Sequence, residues 1–352
     1  MIRWTITSLL CFLLIGAGPA TRQTRLEFAE SLWEAKLAAT GDKPVVSEYY
    51  PTEESLVFLS AYDFTHEPRY AAAAERQLEY AHSREKDGLF LTSSGTTTRD
   101  YQARQTYNFY VAYRILGEVK YLRWSDECAD ALLRVIPRRA HTVNGQMHLL
   151  FRGDFYRPDG TMTVENSETI DPNQNSEVAL AFSLLFHDVG SRWFDDARAK
   201  EIAHEELAAA MSIQDMKTGV LSLTEHIPGG DTAYGSYASF SWTWCQLLWR
   251  EKEMDEHVRA QGKWLGPLMD LSRDSMRFYP TVIEHGRVPY WEAYYRLPLL
   301  WYCGVDGSKL TADLFERMRH PEQTPGDSVV PTAWGYYDLM GMPRAYFLGK
   351  SR

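Results

Sequence analysis

Apolar residues recur at three- and four-residue spacing along most of the chain, the period that turns one face of an α-helix towards a core. The pattern predicts helices over Leu26–Leu37, Glu53–Tyr62, Tyr70–His82, Tyr101–Leu116, Tyr121–Ile136, Asn175–Phe186, Phe194–Met211, Tyr234–Trp249, Met254–Leu271, Tyr290–Tyr302, Thr311–Met318 and Ala333–Met340. Strand-like alternation is confined to Met147–Phe151, Thr161–Val164 and Gly219–Leu223, which read as small hairpins or loop segments. The helices are of two kinds, and they alternate. Glu53–Tyr62, Tyr101–Leu116, Asn175–Phe186, Tyr234–Trp249, Tyr290–Tyr302 and Ala333–Met340 carry little charge and are apolar nearly all round, as buried helices are. Those between them are amphipathic, with a charged face for water. An inner ring of helices inside an outer ring satisfies both patterns.

A weak internal repeat points the same way. Tyr113-Arg-Ile-Leu-Gly-Glu-Val-Lys-Tyr121 and Phe186-His-Asp-Val-Gly-Ser-Arg-Trp-Phe194 both read as a glycine ending an inner helix, a polar turn, and an aromatic opening the next helix. Tyr62-Asp-Phe-Thr-His-Glu-Pro-Arg-Tyr70 takes the same place one hairpin earlier. In this alternation the chain resembles the (α/α) toroid superfamily of six-hairpin glycosidases, polysaccharide lyases and sugar epimerases. The resemblance covers nearly all of the chain beyond its first residues. It implies an all-α, (α/α)6-type toroid of alternating inner and outer helices, with a few short β-hairpins in its loops. It further implies a carbohydrate substrate held in a cleft where the inner helices begin.

Residues 1–20 read as a signal peptide: Arg3, an apolar run over Thr5–Gly16, then the small residues Ala17-Gly18-Pro19-Ala20. A secreted or periplasmic protein follows, with residues 21–352 as a single domain, because no linker-like or low-complexity tract divides them. No later run of apolar residues is long enough for a spanning helix, so no stable membrane insertion is expected. The net charge of −10 argues against nucleic acid as a partner. Cys128, Cys245 and Cys303 sit in apolar helical patterns and read as buried thiols, with one bridge plus a free thiol as the alternative. The eleven Trp and twenty-one Tyr are more than one core needs, and aromatic rings lining a groove stack on the C–H faces of sugars. A polysaccharide or oligosaccharide is therefore the expected partner, and oligomeric state is left open.

Three stretches carry candidate chemistry. In Asp171-Pro-Asn-Gln-Asn-Ser-Glu177, Asp171 and Gln174 fit a helix cap with proline at the first helical position, while Asn173 and Asn175 would face the cleft mouth. In Leu221-Ser-Leu-Thr-Glu-His226, a strand-like run delivers His226 to a Gly/Pro loop that feeds a helix start carrying Tyr234 and Tyr237. This segment resembles toroid polysaccharide lyases of the hyaluronate-lyase type, and Asn173-Gln-Asn-Ser176 is similar to the Asn-Asn-His-Ser helix start of the alginate-lyase type. The resemblance implies Tyr237, His226 and Asn175 as catalytic residues of a β-elimination on a uronic acid. Gln174 stands where that motif has its second asparagine, and Asn175 where it has a histidine. Arg104 and Asn108, four apart on a buried helix, either grip the substrate carboxylate or pair internally.

Hydrolysis by two carboxylates is the alternative, drawn from Asp100, Asp171, Glu177, Asp231, Glu284 and Glu292, with Glu292 foremost in its aromatic helix start. A non-catalytic glycan-binding toroid is the third reading. Trp242, Trp244, Trp291 and Trp334 are sugar platforms or core. His204-Glu-Glu has no second histidine to make a zinc-protease site, and no metal or cofactor is inferred.

Overall fold

The computed structural model describes residues 30–31, 33–40, 43–44, 51–165, 170–221, 238–265 and 297–304. The helices, in chain order, are α1 (Glu53–Thr65), α2 (Pro68–Ser83), α3 (Arg99–Leu116), α4 (Val119–Val135), α5 (Pro172–His187), α6 (Ala197–Ser212), α7 (Ala238–Trp249), α8 (Lys252–Leu265) and α9 (Leu297–Tyr302). Between α4 and α5 lie β1 (Arg138–Val143), β2 (Gln146–Phe151), β3 (Phe155–Tyr156) and β4 (Met162–Val164). The helices expected over Thr311–Met318 and Ala333–Met340 fall outside the described residues.

Each inner helix packs on the outer helix that follows it: α1 on α2, α3 on α4, α5 on α6, α7 on α8. The inner helices also pack on one another in sequence, α1 with α3, α3 with α5, α5 with α7, and α7 with α9. The first two turns of α1, α3 and α5 meet through the bonds of Arg104 to Glu53 and Glu177, so these three neighbouring helices begin at the same end. Burial follows the sequence pattern. Along α5 every residue from Asn175 to Leu185 is buried, whereas α4 buries Tyr121, Leu122, Ser125, Cys128, Ala129 and Leu132 and, of its charged residues, only Asp126, which accepts the Ser191 hydroxyl. Side chains from Trp33 to Leu299 join a single core cluster. No helix among the described residues is long and apolar enough to cross a membrane.

Two of the three repeated turns share one mechanism. His66 (φ 58°) and Gly117 (φ 78°) are left-handed caps whose N–H groups bond to the carbonyls of Tyr62 and Tyr113. The third turn differs from its expectation. Asp188 caps α5 in extended backbone, and Gly190 is not left-handed. A Cβ there would lie 2.9 Å from Leu122 Cδ2, so glycine serves close approach to α4 rather than a helix stop. The helix expected from Phe194 starts instead at Ala197, because the Asp196 side chain accepts the N–H groups of Arg198 and Ala199.

The strand expected at Met147–Phe151 is β2, and its partner β1 was not foreseen. Asn144 (φ 50°) and Gly145 (φ 80°) form the two-residue turn between them, setting Val143 opposite Gln146 and Arg138 opposite Phe151. β4 fulfils the Thr161–Val164 reading by pairing with β3. Of the Gly219–Leu223 reading, the described part makes a single bridge between Leu221 and Gln214.

Gly219 fixes that loop on α8. At φ +80°, an added Cβ would stand 2.0 Å from the carbonyl oxygen of Ala260. Gly219→Ala is therefore expected to destabilise the protein by more than about 1 kcal/mol. A urea midpoint equal to that of the parent would refute this docking.

Candidate functional site

Glu53 opens α1, Arg104 lies in the second turn of α3, and Glu177 in the second turn of α5. These early positions of three neighbouring inner helices meet in one ion-paired group. Arg104 donates from Nε to Glu177 Oε2 (2.9 Å) and from Nη2 to Glu177 Oε1 (2.7 Å), a two-pronged pair. Its Nη1 donates to Glu53 Oε1 at 3.3 Å. Side-chain exposure falls from 16% at Glu53 to 12% at Arg104 and 4% at Glu177, so the group slopes from a partly open edge into the protein.

Burial dominates the protonation of Glu177. It raises the carboxyl to about 7, against the opposing pull of Arg104 and with added push from Asp100 and Asp171. Asp171 behaves alike: burial lifts it to about 6, opposed by Arg99 and by two helix-end N–H groups. Its Oδ1 accepts the N–H of Asn173 (3.0 Å) and of Gln174 (3.2 Å), the cap expected from the sequence. Asp100, half-exposed at the start of α3, accepts the Thr98 hydroxyl at 2.6 Å. Four acids, Glu53, Asp100, Asp171 and Glu177, thus gather around two arginines, Arg99 and Arg104.

The other candidates take their places around this group. Both ends of the Asn175 amide are committed within the protein: Oδ1 accepts the Asp171 N–H (2.8 Å), and Nδ2 donates to Glu206 (2.5 Å). Asn175 is wholly buried, and it holds the cap residue in place rather than facing an open mouth. Gln174 accepts from Arg99 Nε at 3.2 Å, and Arg99 also donates to the Phe151 carbonyl at 2.8 Å. Asn173 is buried at the first turn of α5. Asn108 is wholly buried and donates to Thr52 Oγ1 (2.9 Å), whose hydroxyl donates in turn to Gln105 (2.6 Å). Of the two readings of Arg104, the internal pairing is the one seen: its guanidinium is held by Glu177 and Glu53. Trp242 and Trp244 are core; Trp242 Nε1 donates to Ser176 Oγ at 2.6 Å. His226, Asp231, Tyr234, Tyr237, Glu284, Trp291, Glu292 and Trp334 lie outside the described residues.

Sequence reasoning missed three participants. Glu53 is the first residue of α1, where an acid suits the helix end with or without a partner, so the sequence carries no separate signal for its pairing. Arg99, wholly buried, supports Gln174 and the β2 carbonyl from the first residue of α3. Glu206 reaches from the outer helix α6 to the Phe151 N–H (2.7 Å) and to Asn175. Its signal was present: Ile202, Ala203, Glu206, Leu207 and Ala210 occupy the buried face of α6, so the glutamate interrupts an apolar stripe.

Raised carboxyl pKa values have a consequence for stability. Asp171 and Glu177 bind protons more tightly folded than unfolded, so their contribution is full below the ordinary carboxylate range. It is lost as pH rises through about 6 and about 7. Burial moves Glu206 and Asp126 in the same direction. The urea midpoint is expected to fall between about pH 5 and about pH 8, and a flat or rising profile would contradict this.

No family model matches the chain, and no curated protein matches it by sequence. Solved structures do match over nearly its whole length. A cellobiose 2-epimerase from Spirochaeta thermophila superposes with a TM-score of 0.66 at 16% identity, covering 94% of this chain and 98% of that one. An alpha-mannanase from Bacteroides thetaiotaomicron gives 0.59 at 9% identity, over 91% and 94%. A polysaccharide lyase gives 0.56 at 11% identity, over 92% and 98%. At these identities the likeness is one of fold. The chain has the all-α, (α/α)6-type toroid architecture of alternating inner and outer helices.

Proposed function

We propose that this chain is an exported carbohydrate-processing enzyme that hydrolyses a glycan with carboxyl groups at the N-terminal ends of its inner helices. The observation that carries this reading is the buried acid cluster around Arg104, in which Glu177 holds a proton up to about 7. Glycoside hydrolysis needs one carboxyl to protonate the leaving oxygen and a second to act as base or nucleophile. Glu177 takes the first role. Asp100, the half-exposed acid whose charge Glu177 feels, takes the second. Arg104 orients Glu177, while Asn175 and Glu206 fix the start of α5 beneath it. Solved toroids of this fold include an epimerase, a mannanase and a lyase, each named for a glycan reaction, which supports the substrate class. Export rests on the leader-like pattern of residues 1–20.

Beta-elimination by Tyr237 and His226 is the second reading, supported by the likeness to a polysaccharide lyase. It requires positive charge for a uronate, and Arg104 is already shared between two acids. The test incubates the protein without residues 1–20 with neutral and uronic-acid glycans. New reducing ends are followed together with the ultraviolet absorbance of unsaturated sugar. New ends without that absorbance are expected. Absorbance rising with the ends would replace hydrolysis by elimination, and an epimerised sugar without new ends would replace it by epimerisation. Binding with no chemical change across the panel would make the protein a glycan-binding toroid.

A further inference from the structure

A second group of side chains, sharing no residue with the acid cluster, lies where the end of α2 meets α4. His82 is in the last turn of α2, and the tight turn after it bonds the Glu85 N–H to the His82 carbonyl at 3.1 Å. That turn brings His82 Nδ1 to 3.5 Å from Glu85 Oε1. Glu127 comes from α4, and one ligand atom from each of His82, Glu85 and Glu127 lies within 4.8 Å of the others. The His82–Glu85 separation is close to the edge of a tetrahedron whose bonds are about 2.0–2.1 Å, the ligand distance of zinc to nitrogen and oxygen.

The surroundings hold these donors in place. The His82 ring stacks on Trp124 at 3.8 Å between centroids and 15° between planes, which fixes its orientation. Gly88 presses the loop between α2 and α3 onto α4 so closely that a Cβ would fall 2.2 Å from the Glu127 carbonyl oxygen. Gln102 of α3 ties the same junction by donating to the carbonyls of Gly88 (2.5 Å) and Cys128 (3.2 Å). Glu85 Oε2 is shielded from solvent and has no hydrogen-bond partner among the described residues. Burial disfavours its charged form against the opposing backbone hydrogen bond of Gly88, and the neighbouring charges of Glu127 and Asp87 add to the burial effect, with Arg134 opposing. A cation between Glu85 and Glu127 would satisfy both carboxylates, and Glu127, being exposed, leaves it a path from solvent.

We propose that His82, Glu85 and Glu127 bind a divalent transition-metal ion of the zinc class, which clamps the end of α2 to α4. One imidazole with two carboxylates suits Zn2+ better than Mg2+, which prefers an all-oxygen octahedron. Three protein ligands leave a position for water.

The test titrates the untagged, metal-stripped protein with Zn2+ by calorimetry and with Co2+ by visible absorption. One equivalent should bind, with cobalt bands of a four- or five-coordinate site, and the melting temperature should rise by a few degrees. His82→Gln and Glu127→Gln should each weaken binding by about tenfold or more. Glu127 is exposed, so its variant keeps the test valid even if the His82 variant folds poorly. Glu79→Gln, altering an exposed acid on the same helix, should leave binding unchanged. The proposal is overturned if no equivalent binds, if both ligand variants bind as the parent does, or if Mg2+ competes on equal terms. A thiolate-to-cobalt charge-transfer band would overturn it too, assigning the ion to the adjacent Cys128.

Discussion

Arg104→Met is expected to lower the unfolding free energy by about 3–5 kcal/mol at alkaline pH, and by much less in mild acid. Methionine fills the space of the aliphatic stem but leaves Glu177 buried without its two-pronged partner and removes the Nη1 bond to Glu53. Above about pH 7 Glu177 would be ionised in the native protein, and the variant must either bury that charge alone or take up a proton. In acid the proton is already in place and the penalty shrinks. Adding Glu177→Gln to Arg104→Met should recover most of the loss, because a neutral amide no longer needs the guanidinium. Urea unfolding at the two pH values decides the matter. Equal losses at both, or no recovery in the double variant, would show that Arg104 acts through packing.

Glu177→Gln alone is expected to cut glycan cleavage by about 10²–10⁴-fold, the range that general acid catalysis supplies. The amide is nearly isosteric, and Arg104 keeps Glu53, so the fold should survive. In the parent, the rate should fall as pH rises through about 7, where Glu177 loses its proton. The residual rate of the variant should lack that alkaline limb. If the variant retains cleavage within about tenfold and the limb persists, Glu177 is a structural ion-pair partner, and the acid lies elsewhere.

The toroid was legible because its two kinds of helix differ in a property that periodicity reports directly. α4 and α5 show the contrast, one amphipathic and the other apolar nearly all round. The hairpin of β1 and β2 was half legible. Arg138–Val143 alternates poorly, and the usable signal was the Asn144-Gly145 turn. Gly190 misled because sequence cannot tell a glycine needed for a left-handed turn from one needed for close packing.

At the acid cluster, the cap at Asp171 was read from local spacing and stands as expected. The fate of Asn175 was not readable, since its partner Glu206 belongs to a different helix and is distant in sequence. Arg104 shows the same limit. A buried arginine announces that it has partners, but only the packing of α1 and α5 on either side of α3 brings Glu53 and Glu177 to it. The His82–Glu85 pair was hidden for a similar reason, as its third member, Glu127, arrives from the next hairpin.

The Arg104 junction also has a temporal side. Its two acids come from opposite directions along the chain, Glu53 from the hairpin before and Glu177 from the hairpin after. A polypeptide that folds from its N-terminus would bring α1 and α3 together first, so the guanidinium finds a carboxylate before α5 exists as a helix. When α5 docks, its glutamate meets a cation already waiting. At this junction, vectorial assembly can thus proceed one hairpin at a time without leaving the Arg104 guanidinium without a carboxylate.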